Sequence, residues 1–465
     1  MQGQAESTIT ASHSKPYVRA HFSSQFAFVL AAAASAVGLG NLWRFPYLAA
    51  KYGGGAFLIT YLALVLTFGF TLMLIEVAIG RHTGLSAIHA FRALSKRFAF
   101  IGVIESIAPI IIISYYCVIG GWILKYLVEY VQGAGSIIAT DTFFNGYISQ
   151  SIEPIVYCSI FASITMVIVA SGVKKGIERL NKISMPLLII LSVFLSIYVM
   201  LQPGAIDGLS YYLIPDMDRF GFGTIVAAMG QMFFSMSLAS GVMITYGSYM
   251  SKKDDLTHSV SQIEIFDTLV AFLAGLIIVP SVFVFSGGEA SAMSAGPGLM
   301  FVTLPKVFLS LPFGEIIGFC FFALVLFAAI TSSVSIAEAV ISIFGDAFRW
   351  WRKKSVAVVW IGILLISMLP SLGYGAWSSV TFAGLTILDL MDFCVSSVLM
   401  PLGALLTCIM LGWFVGPQVI VNEVEQSAPF KRKRLFLVML KWVSPVFLVV
   451  ILVSSCLNTF GLISI

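Results

Sequence analysis

The sequence has few charged residues. They make up 10% of the 465 residues, against about 25% in soluble globular domains, while 59% of the residues are hydrophobic and the mean hydropathy is +0.99. A soluble catalytic domain or a nucleic-acid-binding protein cannot be built from this composition. We therefore predict a polytopic membrane protein with about a dozen spans of about 20 residues each, with membrane lipid as a partner and no nucleic acid.

Histidine and cysteine are also scarce, and their positions exclude further classes. The five histidines show no metal-ligand spacing, which argues against a metal centre. All six cysteines fall within the predicted spans, so no disulfide is expected in an outward loop. No nucleophile in the spans has a partner histidine or a metal cluster, and the sequence therefore predicts a protein that is not an enzyme.

Long apolar runs follow one another along the chain, and we predict that each crosses the membrane. The eleven runs are approximately 26–50, 55–80, 100–131, 151–170, 183–201, 222–250, 259–286, 315–344, 356–371, 384–415 and 436–456. Of the 26 basic residues, 20 cluster in the N-terminal tail and in alternate loops. The positive-inside rule then predicts a cytoplasmic N-terminus and an extracellular or periplasmic C-terminus. The first run is too long for a signal-peptide core and is expected to be retained.

The first and sixth runs are both interrupted by small and polar residues. Gly38–Pro46 contains two glycines, Asn41 and Arg44, and Ser235–Gly241 is rich in serine. Such a pair of interruptions in two halves of a chain indicates inverted repeats around a binding site at the membrane midplane. Packing of small residues between helices is the competing interpretation. Freed carbonyls coordinate a hard cation, and a half-helix N-terminus attracts a carboxylate.

Several polar residues lie inside the predicted spans. Asp267 in the seventh run is the strongest candidate, because a carboxylate there is a functional-site hypothesis by default; a structural acid paired to a neighbouring helix is the alternative. For Glu76 and Glu338 a structural role is as well supported as a functional one. The other polar positions of interest in the spans are Tyr116, Ser235, Thr331, Ser332, Ser333 and Asp392.

The string SAVGLGNLWRFP at Ser35–Pro46, followed by Tyr52–Phe57, resembles the first-helix signature of the neurotransmitter:sodium symporter family. The resemblance continues through Tyr115-Tyr116, Gln231–Tyr246, the segment from Gly296, Thr331–Ser333 and Leu390–Phe393. It implies an all-α membrane protein of eleven transmembrane helices with a LeuT-like 5+5 inverted repeat, in which helices 1 and 6 are broken.

This fold divides the chain into five parts. A cytoplasmic tail (1–25) precedes the first repeat (26–201), an extracellular loop (202–221) and the second repeat (222–415); a cytoplasmic loop with helix 11 follows (416–465). Gly-Pro-rich residues at 286–313 predict a lid over the site, with a passive surface loop as the alternative.

The resemblance also implies particular site residues. Two sodium ions are expected. The first would contact Ala36, Asn41, Ser235 and Asp267, and the second Ala34, Val37, Ala328, Thr331 and Ser332. The substrate would contact Ala36, Leu39, Gly40, Ile112, Tyr116, Phe234, Ser235, Ser237, Ala239, Ser240 and Ile336. The outer gate would comprise Arg44, Asp392 and Gln231 beside Phe234, and the inner gate Arg19, Asp346, Phe22 and Tyr249.

The function implied is sodium-coupled import of a neutral amino acid, hydrophobic or small, across a bacterial plasma membrane by alternating access. Many relatives carry Asn where Asp267 stands. The relatives that depend on chloride need the negative charge of a chloride ion near that site. We therefore expect transport without chloride. Ala239-Ser240-Gly241 lacks the large residue of several bacterial relatives, so a betaine or a taurine-like zwitterion stays open as substrate. A non-transporting sensor and an ion channel are further alternatives, and the oligomeric state is open, a monomer included.

Overall fold

The computed structural model describes residues 21–287 and 296–460, and this part of the chain is almost entirely helical. Its regular elements are helices, accompanied by two isolated β-bridges. The helices are α1 Gln25–Ala36, α2 Gly40–Lys51, α3 Gly55–Thr83, α4 Ala87–Leu94, α5 Lys96–Val131, α6 Gly135–Ile138, α7 Asp141–Ile148, α8 Glu153–Ala170, α9 Val173–Met200, α10 Ala205–Leu213, α11 Phe222–Ser235, α12 Val242–Gly247, α13 Leu256–Phe285, α14 Leu299–Ser310, α15 Gly314–Phe348, α16 Arg352–Leu372, α17 Ile387–Phe414, α18 Gln418–Glu425 and α19 Lys433–Thr459.

Nine helices of the described ranges are long and apolar enough to cross a membrane, and α1 with α2 makes a tenth as a span bent by 55°. The predicted sixth run, 222–250, is divided into α11 of 14 residues and α12 of 6 residues. Neither piece is long enough to span the bilayer alone. Both predicted interruptions are thus present, and the count of eleven crossings stays a prediction.

Unusual backbone conformations produce the interruption between α11 and α12. Ser237 and Ala239 both have φ of 53°, and Gly241 has φ of 67°. Left-handed conformations cost non-glycine residues about 1–2 kcal/mol each, so they persist only where neighbouring groups hold them. The Glu76 carboxylate accepts a hydrogen bond from the Ala239 N–H at 2.5 Å, and the Ser240 hydroxyl donates to the Ser237 carbonyl at 2.6 Å.

Some element boundaries differ from those expected. The fifth span was expected from residue 183, but α9 begins at Val173 and takes in the basic residues Lys174, Lys175, Arg179 and Lys182. Hydropathy alone places a helix end where charge begins, whereas a helix continues through charged residues that lie at the membrane surface. The predicted loop 202–221 likewise contains α10, the region after 416 contains α18, and the lid region contains α14.

The helices approach most closely where glycine removes a side chain. A Cβ atom on Gly80 of α3 would lie 1.9 Å from the carbonyl oxygen of Ile244 in α12. We expect Gly80→Ala to destabilise the protein by about 1–3 kcal/mol, the usual cost of overpacking, measured as a lower thermal unfolding temperature in detergent. The matched control is Gly362→Ala in α16, where a Cβ meets no atom within 4 Å; equal stability of the two variants would contradict the prediction.

Candidate functional site

A small cavity of about 50 Å³ lies between the two interrupted segments. Four residues of its wall were not predicted as substrate contacts, and they are Ser35, Gly38, Ser332 and Met400. The other wall residues were expected, and they are Ala36, Leu39, Gly40, Ile112, Tyr116, Phe234, Ser235, Ser237, Ser240 and Ile336.

Ala239, also an expected substrate contact, does not line this cavity. Its N–H donates to Glu76, and its Cβ lies 3.7 Å from the position that a Cβ would take on Gly403 of α17. The left-handed conformations of Ser237 and Ala239 direct the serines and the alanine to different sides of the segment. A sequence motif gives the order of these residues but not these turns.

The polar end of the cavity combines a helix N-terminus with a tyrosine hydroxyl. The first N–H groups of α2 have no partners within their own helix, and they carry the positive end of its dipole. The Tyr116 hydroxyl is buried and has no hydrogen-bond partner among the described residues. A Cβ on Gly38 would lie 3.2 Å from this hydroxyl and 2.9 Å from the Ser332 hydroxyl, so glycine is needed here. The arrangement is suited to a carboxylate.

A carboxylate on α13 collects hydrogen bonds from three other helices. Asp267 is fully buried, and Oδ1 accepts from the Asn41 amide and the Ser235 hydroxyl, each at 2.8 Å. Oδ2 accepts from the Tyr61 hydroxyl of α3 at 3.1 Å. Carboxylate, amide and hydroxyl oxygens are ligands that alkali cations accept. Tyr61 was not predicted as a partner of Asp267, because a tyrosine in an apolar run cannot be distinguished from an aromatic residue that only packs.

A second group of oxygens joins the end of α1 to α15. The Ser332 hydroxyl lies 2.9 Å from the Val37 carbonyl and 3.3 Å from the Ala34 carbonyl, to which it can donate. The Thr331 hydroxyl is within 3.0 Å of the Ala328 carbonyl. Ser332 thus joins the carbonyls of Ala34 and Val37 to α15, on which Thr331 precedes it by one residue and Ala328 by about one turn.

A larger cavity of about 490 Å³ lies on the other side of Phe234 and contains both Arg44 and Asp392. The Arg44 guanidinium lies 5.3 Å from the centre of the Phe234 ring. Asp392 accepts hydrogen bonds from Tyr115 at 3.0 Å and from Ser396 at 2.8 Å. The expected gate residues Arg44 and Asp392 share this vestibule without forming an ion pair within 4 Å. Gln231 donates to the Gly40 carbonyl at 2.9 Å.

The opposite end of the interrupted helices is closed by aromatic packing. Phe22 makes edge-to-face contacts with Phe28, Tyr246 and Tyr249, and the Tyr249 hydroxyl donates to Glu338 at 2.8 Å. Asp346 accepts from the Ser86 N–H at 2.8 Å. The expected partner of Asp346, Arg19, lies outside the described residues. The structure thus has a vestibule on one side of the cavity and a packed layer on the other.

Comparison with known proteins identifies the family. A sequence model of the sodium:neurotransmitter symporter family matches residues 19–140 and 147–462. This chain belongs to that family. An uncharacterized sodium-dependent transporter of Bacillus subtilis, YhdH, is 33% identical over 95% of this chain and 98% of its own length. The human sodium- and chloride-dependent GABA transporter 2 is 25% identical over 89% of this chain and 76% of its own length.

The fold comparison agrees with the family assignment. The crystal structure of MhsT in complex with L-phenylalanine matches with a TM-score of 0.85 and 37% identity, over 94% of this chain and all of that one. This sodium:neurotransmitter symporter is therefore a multi-span membrane transporter with a LeuT-like fold that depends on sodium and acts on a small molecule. It is not an enzyme. The family, fold class and sodium use predicted from the sequence are confirmed.

Proposed function

We propose that this symporter imports a neutral amino acid, hydrophobic or small, by alternating access. The observation that carries the proposal is the cavity, in which the N-terminus of α2 and the buried Tyr116 hydroxyl face the side chains of Ile112, Ile336 and Met400. The polar end suits an α-carboxylate and the other wall suits an uncharged side chain. MhsT, which binds L-phenylalanine, supports an amino acid as the substrate class.

We further propose two sodium ions as co-substrates. The first binds Asp267 with Asn41, Ser235 and the Ala36 carbonyl, next to the substrate carboxylate. The second binds between α1 and α15. The oxygen atoms grouped around Asp267 and Ser332 support both sites, because hard cations are coordinated by oxygen ligands. The residues of the second site are Ala34, Val37, Ala328, Thr331 and Ser332.

In this proposal the two sides of the cavity open in turn. Arg44 and Asp392 close the vestibule above Phe234 and Gln231, while Phe22, Tyr249 and Asp346 close the cytoplasmic side, with Arg19 outside the described residues. The repeats 26–201 and 222–415 surround the site, the N-terminus is cytoplasmic and the C-terminus is outside. The present arrangement, with a vestibule above and packed aromatics below, corresponds to the outward-facing state.

The experiment that tests the proposal is uptake of labelled amino acids into proteoliposomes under an inward sodium gradient. We expect concentrative uptake of one or more neutral amino acids, abolished when potassium replaces sodium. Taurine and glycine betaine are included as competing zwitterions, and their uptake in place of amino acids would reassign the substrate. Sodium current without a solute would indicate a channel, and binding without uptake would indicate a sensor.

Chloride should not be required for this transport. The Asp267 carboxylate supplies, within the first sodium site, the negative charge that chloride would otherwise bring near the ion. We expect the same initial uptake rate in sodium gluconate as in sodium chloride, measured in proteoliposomes without internal chloride. A loss of uptake in gluconate would contradict this expectation, and a sodium-free series with choline chloride controls for leakage.

A further inference from the structure

Two buried glutamates flank the unwound segment 237–241. Glu76 on α3 is 4% exposed and Glu105 on α5 is 1% exposed. One oxygen of Glu76 accepts from the Ala239 N–H, and one oxygen of Glu105 accepts from the Thr407 hydroxyl at 3.0 Å. The Oε2 atom of each is buried and has no hydrogen-bond partner among the described residues. Each carboxylate therefore has one oxygen unsatisfied in a membrane-embedded site.

Both glutamates lie beside the same piece of backbone, the segment 237–241. A Cβ on Gly403 of α17 would lie 3.0 Å from Glu105 Cγ and 3.7 Å from the Ala239 Cβ, and a Cβ on Gly241 would lie 3.1 Å from the Glu105 carbonyl oxygen. Glu105 thus lies beside the segment that donates a hydrogen bond from the Ala239 N–H to Glu76. Ala239 is therefore the residue that both glutamate side chains approach.

No described basic residue compensates the pair. From α17 the titratable group that faces both glutamates is the Cys408 thiol, and the segment 237–241 contributes no titratable side chain. Charged groups of the other packed helices are bound elsewhere: Arg81 of α3 pairs with Glu423 at 2.8 Å, and Glu338 of α15 pairs with Arg352 at 2.7 Å. His89 is the titratable residue of α4 closest in kind to a proton acceptor, and α4 packs against α5, the helix that carries Glu105.

We propose that Glu76 and Glu105 bind one proton between them, as a cation site separate from the two proposed for sodium. Two ionised carboxylates that share a buried site repel each other without solvent screening, and one proton removes this repulsion. The protonated oxygen also becomes a hydrogen-bond donor, which supplies a partner that the Oε2 atoms lack. The Glu76 carboxylate stays free to accept the Ala239 N–H.

The position of the pair gives the proton a role in conformational change, a step that rests on the proposed function. Glu76 belongs to the second span and Glu105 to the third, and alternating access requires spans around the site to move relative to one another. The shared proton therefore holds these two spans together at their boundary in the present arrangement. Its loss leaves two like charges across the boundary and favours separation, so high pH shifts the equilibrium away from this state.

Infrared difference spectroscopy of the purified protein tests the proton directly. Spectra recorded over a series of pH values should show the carbonyl stretching band of a buried protonated carboxyl group, decreasing as the pH rises. We expect this titrating band to be absent in Glu105→Gln and in Glu76→Gln. All spectra are recorded in a Glu264→Gln background, because Glu264 on α13 is a further buried carboxyl without a hydrogen-bond partner among the described residues. The band should persist in this background alone and in the controls Cys408→Ala and His89→Ala. Persistence of the titrating band in both pair variants would overturn the proposal.

Uptake measurements test the conformational role. In the wild-type protein the apparent substrate affinity should change with pH, by at most about tenfold per pH unit for one proton, and the dependence should be flat in Glu105→Gln. Thr407→Val, which keeps both carboxyls, should move the midpoint and retain the band. Identical pH profiles of wild type and Glu105→Gln would refute the coupling. If the wild-type protein takes up no solute but its titrating band is lost in the pair variants, the proposed function is refuted and the proton site still stands.

Discussion

Asp267→Ala should abolish sodium-driven uptake and weaken sodium binding at least about a hundredfold, since removing one partner of a buried charged contact costs about 3–5 kcal/mol. The Asp267 carboxylate is fully buried and accepts hydrogen bonds from Asn41, Ser235 and Tyr61. Alanine deletes the charge that attracts the ion and leaves these three donors without their acceptor. Equilibrium binding of radioactive sodium to the purified protein measures the loss.

Two further variants separate loss of sodium from loss of folding. Asp267→Asn keeps an oxygen for Asn41 and Ser235 but removes the charge, so it should fold like the wild type and bind sodium more weakly. Glu264→Gln removes a carboxyl three residues earlier on the same helix, buried and without a hydrogen bond to the proposed sodium ligands, and it should bind sodium far more tightly than Asp267→Asn. Sodium affinity in Asp267→Asn equal to that of wild type would refute the role of the charge.

The breaks in the first and sixth spans could be predicted from the sequence because they result from local chemistry. Glycines, serines and an asparagine inside apolar runs have few explanations in a membrane, and the structure divides the chain at both places. Asp267 could also be predicted as a site residue, because a carboxylate inside a membrane span requires partners. Hydropathy therefore locates a polar group along the chain and at an approximate depth.

The partners of those groups could not be predicted in the same way. Tyr61 and Met400 stand in apolar runs, where nothing distinguishes a residue that faces the site from one that faces a neighbouring helix. Ala239 turns away from the cavity because of left-handed backbone conformations that a motif does not encode. Glu105 lies in another span, and its relation to Glu76 depends on how α3 and α5 pack. Long-range packing decides each of these cases.

Thr331→Ala is expected to abolish concentrative uptake while substrate binding persists. In the proposed second site the ion is held by hydroxyls and one carbonyl of α15 and by carbonyls at the end of α1, and it therefore holds these two helices together. Alanine removes the hydroxyl that lies within 3.0 Å of the Ala328 carbonyl and leaves the Asp267 site unchanged. In proteoliposomes under an inward sodium gradient the final ratio of internal to external substrate should fall to about one, because loss of this ion removes the differential binding by which sodium shifts the conformational equilibrium.

The chain provides a matched control one residue beyond Ser332. The Ser333 hydroxyl faces away from α1, 2.8 Å from the Thr165 hydroxyl of α8, so Ser333→Ala deletes a buried hydroxyl of the same helix without touching the proposed ion. It should accumulate substrate like the wild type, and Ser332→Ala should behave like Thr331→Ala. If Thr331→Ala and Ser333→Ala reduce accumulation equally, the loss reflects packing of α15 and not an ion. If Thr331→Ala also abolishes substrate binding, the two sodium sites are not independent as proposed. Loss of the second ion would then also prevent binding at the first site, next to the substrate.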